Sequence, residues 1–377
     1  MKAVVSDTTG AHLAQINLIR ILAMLGIFLH HAWKGAPRFD ETSLFAKLLA
    51  MGFDFGSLGV VFFNIASGFV LALPCLGRRG DRAIPGWGRF MRRRFLRIVP
   101  PYYLSIAVFS ICNILIFHQD AISSLFMFLK HALFLQSFQY SMLMTDFASY
   151  WYLSMLAQFY LLFPLVLRLF RRCGPGRAFF LVCVVCWGGF ELLDLHVRTH
   201  PESILGMADY LAYFNLPARL PEFAAGMWLA AAWKPDSPRY RLLPFDRSFS
   251  CLVATAAVFG AAGAFFAAEM HTPLRTVYEA ACCFVVFMVL FVPNWSACLG
   301  GSRIVSRLAG ASYSIYLVHQ PILSYTYQWI AGAAACPAGE LGLLTAIAAP
   351  LCIGLGFSMD WIVGRLPAPG GRLPRNR

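Results

Sequence analysis

Acidic residues are scarce in this chain: 18 Asp and Glu stand against 31 Lys and Arg in 377 residues, and only 13% of positions are charged. A soluble globular domain carries roughly a quarter charged residues, so an ordinary soluble protein is excluded. No polar stretch is long enough for a separate soluble domain of usual size. P-loop, Rossmann glycine pattern and HExxH are all missing, and no cluster of His, Cys or carboxylates has metal-ligand spacing, so no metal site is expected. The eleven cysteines follow no disulfide framework. Cys183 and Cys186 form a CxxC, but they flank Val184 and Val185 in an apolar run and read as small buried hydrophobes. Internal repeats and low-complexity tracts are absent too. The N-terminus has one lysine and no cleavage signal, so the first apolar run is expected to stay as an anchor.

What is present is apolar: 59% of residues are hydrophobic and 15% aromatic. Runs of spanning length occupy residues 16–33, 55–74, 98–117, 150–169, 178–195, 210–233, 249–268, 276–292, 304–330 and 340–363. A further apolar piece, 123–138, is interrupted by Lys130 and His131. Counted as re-entrant or interfacial, it leaves 23 Lys and Arg in connections on one side of the membrane and six on the other. Such a bias puts both termini in the cytoplasm. Counted as a span, it would flip every later basic loop and largely cancel the bias. The expected fold is therefore an all-α polytopic membrane bundle of about ten transmembrane helices with cytoplasmic termini. Residues 1–377 are expected to form one membrane domain, with a flexible tail from about 367 and no appended soluble domain. The excess of positive charge suits anionic lipid headgroups better than nucleic acid.

Ionisable groups inside apolar runs are costly and point to function. Arg20 and His31 share the first run, eleven residues apart, within about 20° of one helix face and about 16 Å apart along the axis. A single ligand touching both must be long and must lie along the helix. His30 points some 80° away and reads as a bystander. The second run carries Asn64 and Ser67 on one face, where helix packing is the plainer reading. Arg219 and Glu222, three apart, could pair with each other. Tyr316 and His319 precede Pro321, which should kink its helix. The stretch 76–97 holds eight arginines, no lysine and one aspartate. Guanidinium forks match phosphate oxygens, so this loop, together with Arg20, favours a phosphorylated cytosolic ligand.

These residues resemble one family over the whole chain: the integral-membrane acyltransferases of the type 3 group. The first span, NLIRILAMLGIFLHHAW, resembles the family's opening helix, whose arginine and histidine stand eleven apart, at Arg20 and His31. SGFVLALP (67–74) resembles the second-helix signature, beginning at Ser67, and RRRFLRIVPPYY (92–103) puts Arg94 and Arg97 in the paired-arginine positions. WYLSMLAQFYLLFP (151–164), with Trp151 and Tyr160, RLPEFAAGM (219–227) and GASYSIYLVHQP (310–321) resemble three later signatures. The sequence departs from the pattern at Asn17, where aspartate is common, at Leu156, where glutamate is usual, and at Asn64, where an aromatic is common.

The resemblance implies transfer of an acetyl or other short acyl group from cytosolic acyl-CoA to a hydroxyl of a cell-envelope carbohydrate, such as O-antigen or exopolysaccharide. Acetyl-CoA would be a co-substrate rather than a resident cofactor. Its nucleotide end would meet Arg94, Arg97 and Arg20, with Ser67 also on the donor side, and its thioester would lie near His31. His31 would act as general base or accept the acyl group itself. Asn64, Trp151, Tyr160, Arg219, Glu222, Tyr316 and His319 would serve the acceptor side or support the site. Expected partners are acyl-CoA, a surface or lipid-linked glycan and the bilayer, with no nucleic acid. The expected location is the bacterial inner membrane. The alternative class is a secondary transporter or flippase for an envelope precursor, although no two halves of the chain look alike.

Overall fold

The computed structural model describes residues 8–35, 52, 55–76, 86–139, 147–203, 207–232, 270–291, 294–334 and 336–365. Among them the regular structure is helical, with no strand. Twelve α-helices follow in order: α1 (Thr8–Gly35), α2 (Gly59–Leu76), α3 (Trp87–Leu115), α4 (Ala121–Ala132), α5 (Trp151–Cys173), α6 (Pro175–Thr199), α7 (Ala208–Tyr213), α8 (Leu216–Ala232), α9 (Thr272–Phe291), α10 (Asn294–Gly301), α11 (Arg303–Ile330) and α12 (Pro337–Val363).

Among the described residues, six helical stretches are long and apolar enough to cross a membrane: those at 14–35, 56–76, 87–115, 148–173, 175–199 and 337–363. The protein is therefore a multi-pass membrane protein. Of the four remaining expected spans, 276–292 falls on the 20-residue α9 and the other three differ for separate reasons. The run at 210–233 is divided between α7 and the 17-residue α8. α11 is continuous over 28 residues, but its arginines, serines and tyrosines dilute its hydropathy. The run at 249–268 lies outside the described residues, as do the basic loop at 77–85 and the tail from 366. The piece at 123–138 falls on α4 and a following 3-10 turn. α4 has 12 residues, about 18 Å of helix, too short for a core of about 30 Å. It is held at both ends. The Asp120 carboxylate caps its start, accepting from the Ser123 amide at 2.7 Å, and that bond holds the carboxyl below the usual range. At its end the hydroxyls of Tyr102 and Tyr103 donate to the carbonyls of His131 and Ala132 at 2.7 and 2.9 Å.

The chain divides into two compact units. The first comprises residues 1–34, 39–84 and 161–310. Its centre is the crossing of α2 and α8, two helices small enough at one point for their backbones to touch. A Cβ on Gly68 would fall 2.0 Å from the carbonyl oxygen of Phe223, and one on Gly226 would fall 2.0 Å from that of Ile65. Only glycine permits this approach, the usual device where helices pack in lipid without a hydrophobic drive between them. Around the crossing, Phe69 packs on Phe287 and Phe163 on Phe223 with ring centroids 6.2 and 6.1 Å apart.

The second unit comprises residues 35–38, 85–160 and 311–377. Its interior is unusually hydroxyl-rich. Tyr102, Ser105, Gln136, Tyr150, Ser314 and Tyr316 are all buried. The reason is partly Pro321, which does not end α11. Proline lacks the amide that would bond the carbonyl four residues back, and so strands the oxygen of Leu317. Two hydroxyls take its place: Tyr150 donates to that oxygen at 2.5 Å, and Ser105 lies 3.3 Å from it. Gln136 in turn donates to the Tyr150 carbonyl at 2.9 Å and to the Tyr102 hydroxyl at 3.2 Å.

Candidate functional site

In the first unit, α1 carries Arg20 and His31 on one continuous helix, both half-buried. The ring of His31 is fixed by a bond from Nδ1 to the carbonyl oxygen of Ile27, 3.0 Å away and one turn back. A carbonyl only accepts, so in the neutral ring Nδ1 holds the proton and Nε2 keeps the lone pair. That is the tautomer a general base needs. His30 meets His31 edge to face, with centroids 5.4 Å apart and planes at 74°. Its own stem lies against the turn before α2: a Cβ on Gly56 would come within 2.9 Å of the Cβ of His30. Neighbouring histidines are thus turned to different surroundings.

The first unit also brings Asn64, Arg219 and Glu222 together. Glu222, fully buried, accepts from Arg219 Nη1 at 2.8 Å and from Asn64 Nδ2 at 2.6 Å. Arg219 further donates through Nε to the Tyr213 carbonyl at 3.1 Å and lies 4.2 Å above the Tyr213 ring. Both charges are therefore matched inside the protein. The arrangement ties α2 to α8 beside the glycine crossing rather than presenting a free charge. Ser67 is half-buried on α2, one turn from Asn64.

In the second unit Arg94 and Tyr160 meet. The Arg94 guanidinium sits 5.4 Å from the Phe90 ring centroid and 5.9 Å from that of Tyr160, and its Nε is buried without a hydrogen-bond partner. Arg97, one turn on, is exposed. A second group forms around α11. Tyr316 donates to the Ser149 carbonyl, and Gln320 accepts from the Ser149 amide. One turn of α11 is thereby clamped across His319, whose Nδ1 lies 2.5 Å from the Tyr316 carbonyl. Trp151 stands next to this clamp at the start of α5, its ring 6.2 Å from that of Tyr152, which in turn is 5.5 Å from the ring of Tyr316.

Several polar groups in these networks were not singled out from the sequence. Tyr150 and Gln136 lie outside every motif, and Gln320, although within GASYSIYLVHQP, draws no role from it. His131 reads only as an interruption of an apolar piece, yet it is buried with Nδ1 2.8 Å from the Met127 carbonyl and with Nε2 unpartnered. Their one sequence signal is indirect: a proline inside a helix announces a stranded carbonyl that some hydroxyl must satisfy. Among the described residues, no three His, Cys, Asp or Glu side chains are grouped to hold a metal ion.

Comparison with known proteins points in one direction. An acyltransferase-domain family matches residues 13–359. Proteins of Staphylococcus aureus strains COL and MRSA252, each named "Putative O-acetyltransferase", are 23% identical over 338 residues, covering 82% of this chain and 50% of theirs. The chain thus spans about half the length of the curated relatives it matches. No solved structure matches.

Proposed function

The chain belongs to the type 3 acyltransferase family, and from that premise we propose that it moves an acetyl or other short acyl group from acyl-CoA to a hydroxyl of a cell-envelope carbohydrate. The observation that carries the reading is the bond from His31 Nδ1 to Ile27, which leaves Nε2 as the base on a membrane-spanning helix. The acceptor hydroxyl gives its proton to Nε2 as its oxygen bonds the thioester carbon. The carbon–sulfur bond then breaks, and the departing sulfur takes the proton back from the imidazolium. An acyl-histidine route would use the same nitrogen as nucleophile. In the second unit Arg94 and Arg97 are the proposed grip for phosphates of CoA; in the first, Arg20 is a further candidate for phosphate and Ser67 for the donor side. The pantetheine arm covers the distance of about 16 Å between the levels of Arg20 and His31. Trp151, Tyr160, Tyr316 and His319 serve the acceptor side, and Asn64, Arg219 and Glu222 support α2 against α8. The setting is the bacterial inner membrane, with both termini in the cytoplasm.

The test uses purified full-length protein in detergent with acetyl-labelled CoA and envelope glycan from the source organism. Release of CoA together with label on the glycan is expected. Neither CoA release nor labelled glycan, from protein shown to be folded, would overturn the reading in favour of transport.

A further inference from the structure

The first unit contains a cavity of about 480 Å³ between α6, α8 and α9, lined by none of the candidate site residues. Its wall includes Gly176, Phe179 and Trp187 from α6, Ala225 and Trp228 from α8, and Ala281 from α9. Gly176 and Trp187 are eleven residues apart, so the cavity follows α6 for about 16 Å on nearly one face. Long, narrow and apolar along α6, it suits a hydrocarbon chain rather than a compact polar ligand. The volume falls within the range of ligand sites, but the wall is almost wholly apolar.

Two further observations say what fills it. The Gly176 end of the cavity lies in the first turn of α6, close in sequence to the exposed Arg172 and Arg177. The amides of a 25-residue helix also open there, so positive charge and helix dipole both favour an anion. About 16 Å further in, the indole N–H of Trp187 is buried with no acceptor in the protein. A saturated chain offers it nothing, whereas the π-bond of an unsaturated chain is a weak acceptor. We infer that this channel seats one unsaturated chain of an anionic phospholipid, with the phosphate against Arg172 and Arg177 and the double bond at Trp187.

The full-length protein would be reconstituted in nanodiscs holding equal parts of dioleoyl and dipalmitoyl phosphatidylglycerol and the two matching phosphatidylcholines. After extraction into mild detergent, lipids still bound would be counted by native mass spectrometry. Retention of one dioleoyl phosphatidylglycerol per chain is expected. Ala281→Phe, at an exposed position of the wall, should abolish it, and Ala225→Leu serves if the larger side chain prevents folding. Arg172→Gln with Arg177→Gln should remove the preference for phosphatidylglycerol over phosphatidylcholine, and Trp187→Phe the preference for the unsaturated chain. Equal retention of all four lipids by the wild type, or unchanged retention in the filled variants, would overturn the site.

Discussion

His31 donates a hydrogen bond from Nδ1 to the carbonyl of Ile27 at 3.0 Å, so the helix itself selects the tautomer of the neutral ring. His30, one residue earlier, backs onto Gly56 instead. If Nε2 of His31 is the base, His31→Ala should lower acyl transfer by about 10²–10⁴-fold. His30→Ala should leave most of the rate. The rate of transfer from acetyl-labelled CoA decides the matter, and a dead His30→Ala beside an active His31→Ala would remove His31 from the mechanism.

The hydroxyl of Tyr150 replaces an amide that Pro321 cannot supply. Tyr150→Phe should leave the Leu317 carbonyl with only Ser105 at 3.3 Å and lower stability by about 1–3 kcal/mol. In a Pro321→Ala background the helix regains its own donor, so the same change should cost less. Thermal unfolding of the four proteins in detergent closes the cycle. Equal losses in both backgrounds would mean that the tyrosine acts elsewhere.

Much of this arrangement was legible from residue spacing, and what was not has a physical cause. Helices α1, α2, α3, α5, α6 and α12 fall where apolar runs announced them, because a bilayer imposes length and polarity on any span. The eleven-residue register of Arg20 and His31 is likewise a property of one helix and survives into the structure. The pairing of Arg219 with Glu222 could be suggested at three residues' separation. Its third member, Asn64, lies 158 residues away and no local pattern points to it. The same holds for Asn17. Its amide nitrogen faces the Gly300 carbonyl at 3.4 Å and the Ser306 hydroxyl at 3.3 Å. An amide donor suits the Gly300 carbonyl, which a carboxylate would oppose, and that contact is made 283 residues on. The division of 210–233 into α7 and α8 was missed because apolar composition continues through a break in the backbone.

Glu222 holds two partners in a site from which water is excluded. Glu222→Gln would leave the Arg219 charge buried and unmatched, a loss of about 3–5 kcal/mol. Replacing both charges together, as Arg219→Met with Glu222→Leu, should be less damaging than the single change, since no buried charge is stranded. Asn64→Leu should fall between, because it takes a donor from Glu222 but also removes a buried Oδ1 that has no partner. Yield of monodisperse protein and its melting temperature rank the variants. A single Glu222→Gln as stable as wild type would show that the pair does not hold α2 to α8.

Arg94 separates recognition by shape from recognition by charge. Its guanidinium lies over the rings of Phe90 and Tyr160, which orients a planar fork but would give an ammonium no comparable registration. Arg94→Lys keeps the charge and should still raise KM for acetyl-CoA about tenfold or more, through loss of a charged hydrogen bond worth roughly 1.5–3 kcal/mol. Tyr160→Phe keeps the ring face and should leave that KM close to wild type. Tyr160→Leu removes the face and should move KM in the direction of Arg94→Lys. If lysine is tolerated while Tyr160→Leu is not, the arginine is held for packing alone, and the proposed phosphate grip falls from Arg94.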